Sequence, residues 1–243
     1  MSELQEQTPA FTGEFFVPGR SGGRIEADHL ERYRFACGFA KCAAVLDIAC
    51  GAGYSAHMLL QAGAVSYDGV DLNRELVAYD RQRYGGAGAR FSVGDIRAFD
   101  EGRRYDLITC FETIEHVADY KSALENLFRL LKPGGRLLIS SPNRPVTSPS
   151  AKGIGDPPAN RFHAQEFTPD ELKAALRAAG FTVKDGEVYG QRQRRLCRSW
   201  ALRKLNRLFF GNPDKTKPAT VGPVTDLTPR YFVLVARKAG AAQ

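Results

Sequence analysis

Val45-Leu46-Asp47-Ile48-Ala49-Cys50-Gly51-Ala52-Gly53 is the stretch that decides the fold. An apolar strand, Val45–Ala49, runs into a glycine turn, and Tyr54–Gln61 reads as the helix that follows. Glycines let a backbone approach a ligand closely, and a helix start offers N–H groups without intrahelical partners. Asp71 follows at the end of a second strand, Val65–Val70, about twenty residues on, where a carboxylate can accept both hydroxyls of a ribose. Gly94-Asp95-Ile96 comes after a third strand, Arg90–Val93, at the place an adenine would lie.

Taken alone, Gly51-x-Gly53-x-x-Ala56 also fits a dinucleotide-binding turn. Asp47 argues against that reading, because a pyrophosphate has no use for a carboxylate beside it. A dehydrogenase would also need a second catalytic domain, for which little chain remains. A cationic ligand without phosphates fits better. S-adenosylmethionine is such a ligand, with acids for its amino group and its ribose and no repulsion of its sulfonium.

Outward from this turn, strands and helices alternate. Ala27–Ala40 has a helical pattern, as do Arg74–Tyr84, the strongly amphipathic Tyr120–Leu131 and Pro169–Ala179. Tyr105–Phe111, Arg136–Ser140, Phe181–Tyr189 and Tyr231–Ala236 read as further strands, with Lys132-Pro133-Gly134-Gly135 as a helix stop and turn. This alternation predicts an α/β, doubly wound, Rossmann-like parallel sheet. A composition of 43% apolar and 25% charged residues excludes disorder as a description of the whole chain. No apolar run approaches the ~20 residues of a spanning helix, and the polar Met1–Gln7 does not read as a signal peptide. The five cysteines, an odd number without zinc-site spacing, read as reduced thiols of a cytoplasmic protein.

The ordered set Asp47–Gly53, Gly69-Val70-Asp71, Gly94-Asp95, Asp106–Val117 and Leu131–Ser141 resembles the class I S-adenosylmethionine-dependent methyltransferases, over roughly residues 28–190. Ala49 stands where many members have glycine. The resemblance implies one methyltransferase domain over 1–243 with a seven-stranded sheet whose last strand, Tyr231–Ala236, is antiparallel. Residues 1–40 would be a flap and 191–223 a basic helix and linker inserted before the last strand, while 142–166, with five prolines between Pro142 and Pro158, reads as an acceptor loop or as a disordered surface insertion. It further implies that Asp47, Ala49, Gly51, Gly53, Asp71, Leu72, Asp95, Ile96 and Phe111 hold the cofactor.

Phe111-Glu112-Thr113-Ile114-Glu115-His116-Val117 follows the fourth strand, where catalytic groups of such sheets gather. Glu112, Glu115 and His116 stand at i, i+3 and i+4, so a helical turn would put them on one face. Two carboxylates and an imidazole suit Mg²⁺, Mn²⁺ or Zn²⁺, and His163 offers a fourth ligand. This pairing resembles the ubiquinone-biosynthesis O-methyltransferases and the small-RNA 3′-end 2′-O-methyltransferases. A bound metal lowers the pKa of an oxygen ligand, which an alkyl hydroxyl nucleophile needs. Without a metal, His116 or His163 is the candidate base and Glu112 a steering group, or the three residues are a cap and structural hydrogen bonds.

Glu14–Gly19, His29–Ala36, Ser140–Arg144 and Phe162-His163…Glu166-Phe167 resemble bacterial methyltransferases of surface-glycan synthesis. The acceptor implied is a sugar hydroxyl, on a small molecule or a lipid-linked glycan, with Asn143 and its loop lining the acceptor side. A quinone precursor or a 3′-terminal RNA ribose is the alternative, and a cofactor-binding scaffold without turnover the non-enzymatic one. The formal charge of +7 is matched by seven cations between Arg192 and Arg207, with no acid among them. With Leu196, Trp200, Leu205, Leu208 and Phe209 on one helical face, segment 191–210 reads as an interfacial helix on an anionic membrane's inner face, as a clamp for an acidic acceptor, or as a helix on the sheet edge with a solvated cationic side. Nucleic acid is the less favoured partner, since no aromatic platform interleaves the charges.

Overall fold

A computed structural model describes residues 23–193 and 219–240. Its strands are β1 (Ala44–Ile48), β2 (Ser66–Asp71), β3 (Ala89–Val93), β4 (Tyr105–Cys110), β5 (Leu131–Pro142), β6 (Val188–Gln191), β7 (Gly222–Pro223) and β8 (Tyr231–Arg237). They form one eight-stranded sheet in the order β3-β2-β1-β4-β5-β8-β6-β7. β1 to β5 pair in parallel, whereas β8 runs antiparallel between β5 and β6. The sequence predicts seven strands; the eighth is β7, a two-residue edge pairing with β6.

The helices are α1 (Gly23–Cys37), α2 (Ser55–Gln61), α3 (Arg74–Tyr84), α4 (Tyr120–Leu130), the short α5 (Arg144–Thr147) and α6 (Pro169–Ala178). Their apolar stripes explain their placement. Ala123, Leu124, Leu127 and Leu130 of α4 pack with Leu172 and Leu176 of α6 on one sheet face, against Leu46, Ile48, Ile108 and Leu137. Tyr33 and Ala36 of α1, Leu59 of α2 and Val77 of α3 cover the other face, against Val45, Tyr67, Leu107 and Leu138. Alternate residues of β1 thus enter opposite cores, which fixes its register and explains why such strands read as continuous apolar runs. Thr168 and Glu171 close a reciprocal capping box at α6, and Asn73 caps α3 by accepting from Glu75 and Leu76.

Two predicted elements differ. Lys132–Gly135 is not a free turn after α4. It lies inside β5 as an irregularity between the Tyr105–Leu131 and Leu107–Arg136 pairings, and Gly134 N–H donates to Lys238 O at 3.1 Å. The strand predicted over Phe181–Tyr189 is shorter and later: Thr182 makes only an isolated bridge with Arg237, and Lys184–Glu187 turns before β6 begins. Among the described residues, no helix is long and apolar enough to cross a membrane. The basic segment lies outside the described residues except for its start at 191–193.

Candidate active site

β1 lies between β2 and β4 in the sheet, so the connections after β1 and β4 leave to opposite faces and open a crevice at the carboxyl ends of the strands. A cavity of about 590 Å³ occupies it, lined by Ala49, Cys50 and Gly51 after β1, by Asp71, Leu72 and Asn73 after β2, and by Phe111 to Thr113 after β4. The turn after β1 takes left-handed backbone at Ala49 (φ 58°), Gly51 (φ 59°) and Gly53 (φ 62°). Gly51 has open space where a Cβ would stand, whereas a Cβ at Gly53 would meet Asp80 Cγ at 2.7 Å. The first glycine keeps the cavity floor open, and the second lets α3 close beneath it. Ala49 adopts the same conformation with a side chain, at a strain of roughly 1–2 kcal/mol.

Asp71 is gripped from both sides. Gly51 N–H donates to Oδ2 and Asn73 N–H to Oδ1, each at 2.9 Å. Burial pushes its carboxyl above the usual range, and these two N–H groups pull it back. A carboxylate has about four acceptor sites, so two remain for a vicinal diol such as a ribose. The geometry fits the nucleoside end of S-adenosylmethionine.

The other cofactor candidates divide. Ala49, Gly51, Leu72 and Phe111 line the cavity with Asp71. Asp47 does not: it lies fully buried beneath the floor and accepts from four hydroxyls, Ser55 and Thr109 at 2.6 Å, Tyr67 at 2.9 Å and Tyr33 at 3.0 Å. Burial raises its pKa, and the hydroxyls oppose that rise. Its place in the structure is that of a hub tying β1, β2, β4, α1 and α2 together beneath the glycine turn. Asp95 turns to Arg97, whose Nε lies 3.0 Å from Oδ1, and neither it nor Ile96 lines the cavity. Tyr33, Tyr54 and His29 line it instead, with Tyr33 edge-on to Phe111 at 5.2 Å. The helical pattern around Tyr33 predicts a flap near a ligand without specifying these rings.

A second cavity of about 260 Å³ adjoins the first, and the two share His29, Glu112, His116 and Phe162. Glu115 and His163 line this second cavity, so all four candidate catalytic and metal residues meet there. They do not stand on one helical face. Only Ile114–His116 forms a turn, of the 3₁₀ type, and Glu112 precedes it in left-handed backbone (φ 50°). Ligating atoms of Glu115, His116 and His163 lie within 4.8 Å of one another; Glu112 is outside that cluster and is held by Ser140 instead.

Glu115 is 1% exposed, and its Oε2 has no hydrogen-bond partner. Burial, then the nearby Glu112, raises its pKa far above the usual carboxylate range. His163 Nδ1 is 2.8 Å from Glu166 Oε1, and His116 Nδ1 is 3.0 Å from Phe162 O. A carboxylate or carbonyl behind an imidazole orients the ring, as behind metal-bound histidines. One orphaned carboxylate oxygen and two oriented imidazoles fit a divalent cation of the Mn²⁺ or Zn²⁺ kind, which would displace Asn160 Nδ2 from its 2.8 Å contact with His163 Nε2. Burial and the neighbouring Arg32 hold the His29 imidazole well below its usual pKa, and hence neutral.

Asn143 does not line the acceptor cavity. It is 3% exposed, and its Nδ2 donates to Pro229 O at 2.9 Å. Pro142, Thr147, Asn160 and Phe162 of the same loop do line it. Arg144 anchors the loop through Glu171, with hydrogen bonds of 2.6 and 2.7 Å.

A sheet parallel from β1 to β5 and closed by antiparallel strands, with a nucleoside-sized crevice at its switch point and acidic and imidazole groups at the next strand end, has the class I methyltransferase architecture. The chain belongs to the methyltransferase-domain family, which it matches over residues 23–185. It is 35% identical over 142 residues to a probable S-adenosylmethionine-dependent methyltransferase of Mycolicibacterium smegmatis, covering 58% of this chain and 52% of that one. It is 34% identical over 155 residues to the ubiquinone biosynthesis O-methyltransferase of Xanthomonas euvesicatoria, covering 59% and 64%. The match therefore spans less than two thirds of these relatives' length. Among solved structures, the 1,6-didemethyltoxoflavin-N1-methyltransferase of Burkholderia thailandensis, with bound S-adenosylhomocysteine, aligns at a TM-score of 0.56 and 26% identity, over 88% of this chain and 78% of that one.

Proposed function

We propose that the protein transfers a methyl group from S-adenosylmethionine to a hydroxyl of a sugar or glycan. The observation that carries this reading is the junction of the two cavities at Glu112 and His116. When bound, the cofactor supplies an electrophilic methyl on a sulfonium. Asp71 holds its ribose, the Tyr33, Tyr54 and Phe111 rings flank it, and Glu112 with His116 stand where an acceptor from the second cavity meets it. As the acceptor oxygen bonds to the methyl carbon, the C–S pair returns to sulfur and the hydroxyl proton must leave. Glu115, His116 and His163 would serve that departure, either by holding a divalent cation, which would acidify the hydroxyl, or by taking the proton on an imidazole.

The lining of the second cavity supports a sugar over a quinone precursor. Among the described residues that line it, Ile25, Pro142, Phe162 and the ring of Tyr231 are apolar, and the others are Arg, Asp, Glu, His, Asn and Thr. A polyisoprenoid-bearing ring would leave those groups facing hydrocarbon. The quinone reading is favoured instead by the likeness to ubiquinone O-methyltransferases. The test is release of S-adenosylhomocysteine with three acceptors: nucleotide-sugars, a catechol acid and a short 3′-hydroxyl RNA. Turnover only with the sugars is expected; turnover only with the catechol or the RNA transfers the assignment to that acceptor.

A further inference from the structure

We infer that Asp28 and Arg32 of α1 are the specificity residues of the acceptor site, and that they select a polyhydroxylated ring. The inference rests on the hydroxyl-acceptor reading above and adds which residues read the acceptor. The two side chains stand at i and i+4 on one face of α1, and both line the 260 Å³ cavity. Asp28 is 4% exposed and Arg32 is 2% exposed.

Each is held by neighbours and keeps one buried atom without a hydrogen-bond partner, and Arg32 also approaches Glu112 Oε1 at 4.0 Å. Asp28 Oδ2 pairs with Arg192 Nε at 2.6 Å, while Oδ1 has no partner. Arg32 donates from Nη1 to Gln191 Oε1 at 2.6 Å, and its guanidinium lies 5.4 Å from the centre of the Tyr231 ring, while Nε has no hydrogen-bond partner. Gln191 also donates to Asp28 O at 3.0 Å, so the end of β6 fixes both residues. Buried polar atoms in folded proteins nearly always have a partner, and bulk water does not reach these two. The partner is then supplied by whatever fills the cavity.

One orphaned acceptor and one orphaned donor on the same helix face match a hydroxyl, which donates and accepts at once. A carboxylate or quinone oxygen cannot donate to Asp28 and would be repelled by it. The two hydroxyls of a catechol are both used at the reacting edge, beside Glu115, His116 and His163, which leaves none for α1. A ring with hydroxyls around its perimeter serves both walls and rests against Tyr231.

The test is ligand-observed saturation-transfer NMR on the full chain loaded with S-adenosylhomocysteine, so that no turnover is needed. The probes are methyl hexopyranosides, their single-deoxy analogues and catechol. Binding of at least one glycoside is expected, with a tenfold or greater loss for one deoxy analogue and for Arg32→Lys, while S-adenosylhomocysteine affinity stays within twofold. The deoxy series keeps the test intact should the variant fail to fold. Glycoside binding unchanged in folded Arg32→Lys, no binding by any glycoside, or catechol bound more tightly than every glycoside overturns the inference. Glycoside binding that depends on Arg32 without methyl transfer would instead overturn the proposed activity and leave this site standing.

Discussion

Ser140 and Glu112 close a two-bond ring: Ser140 Oγ accepts the Glu112 backbone N–H at 2.9 Å and donates to Glu112 Oε1 at 2.7 Å. This clamp holds a non-glycine residue in left-handed backbone at the junction of the two cavities. Strain of about 1–3 kcal/mol at such a residue persists only where its surroundings over-determine it. Ser140→Ala removes both bonds, each worth roughly 0.5–1.5 kcal/mol. We expect turnover to fall by about one to two orders of magnitude, with S-adenosylhomocysteine affinity within twofold. Wild-type kcat in the variant would show that Glu112 needs no positioning.

Asp47 is expected to act through the fold. Asp47→Asn turns one acceptor oxygen into a donor facing hydroxyl donors, and hydrogen bonds to a charged group are worth about 1.5–3 kcal/mol. For a chain of this size that corresponds to a drop in Tm on the order of 5–10 °C. The folded fraction should still bind S-adenosylhomocysteine. An unchanged Tm with lost binding would return Asp47 to the ligand-contacting role expected from its sequence position.

Asp80 gives the pH prediction. It is fully buried under Gly53, its Oδ1 has no partner, and burial followed by repulsion from Asp71 raises its pKa to about 8. The unfolded chain has a carboxyl near pKa 3.9. Between these values the folded state keeps a proton that the unfolded state releases, so stability falls as pH rises from about 4 to about 8. Asp80→Asn lacks this dependence and should gain on the wild type steadily across that range. Chemical denaturation at pH 5, 6.5 and 8 measures it, and parallel curves for the two proteins would contradict the assignment.

The cation reading has its own readout. Mn²⁺ or Zn²⁺ titrated into chelator-stripped protein should bind one to one, and Glu115→Gln should weaken that binding by about tenfold or more. Equal binding by Glu115→Gln would move the ion elsewhere. Absence of any binding would leave proton removal to the imidazoles.

The sheet was legible because its signals are local: apolar strands entering two cores, a glycine turn after β1, an acid after β2. Residues whose roles depend on distant chain were not. Asp47 looks like a ligand-facing acid because its four hydroxyl partners, Tyr33, Ser55, Tyr67 and Thr109, come from four other elements. Asn143 looks like an acceptor contact because its partner, Pro229, lies 86 residues away along the chain. Lys132–Gly135 reads as a free turn because its pairing with Lys238 is equally remote. Glu112, Glu115 and His116 line one cavity, but their spacing implies the wrong backbone, since a helical turn there would displace Glu112 from Ser140. Asp28 carries no motif and Arg32 lies within His29–Ala36 without being singled out there; the arrival of Gln191 and Arg192 marks both.

The central claim is that Asp71 marks a nucleoside site and Glu115 a separate acceptor site beside it. Calorimetric titration of S-adenosylhomocysteine into wild-type, Asp71→Ala and Glu115→Gln proteins tests it most directly. Loss of a charge-assisted hydrogen bond of about 1.5–3 kcal/mol predicts affinity weakened roughly ten- to hundredfold in Asp71→Ala. Glu115→Gln should stay within twofold of the wild type. Unchanged affinity in Asp71→Ala, or an equal loss in both variants, would contradict the division of the site.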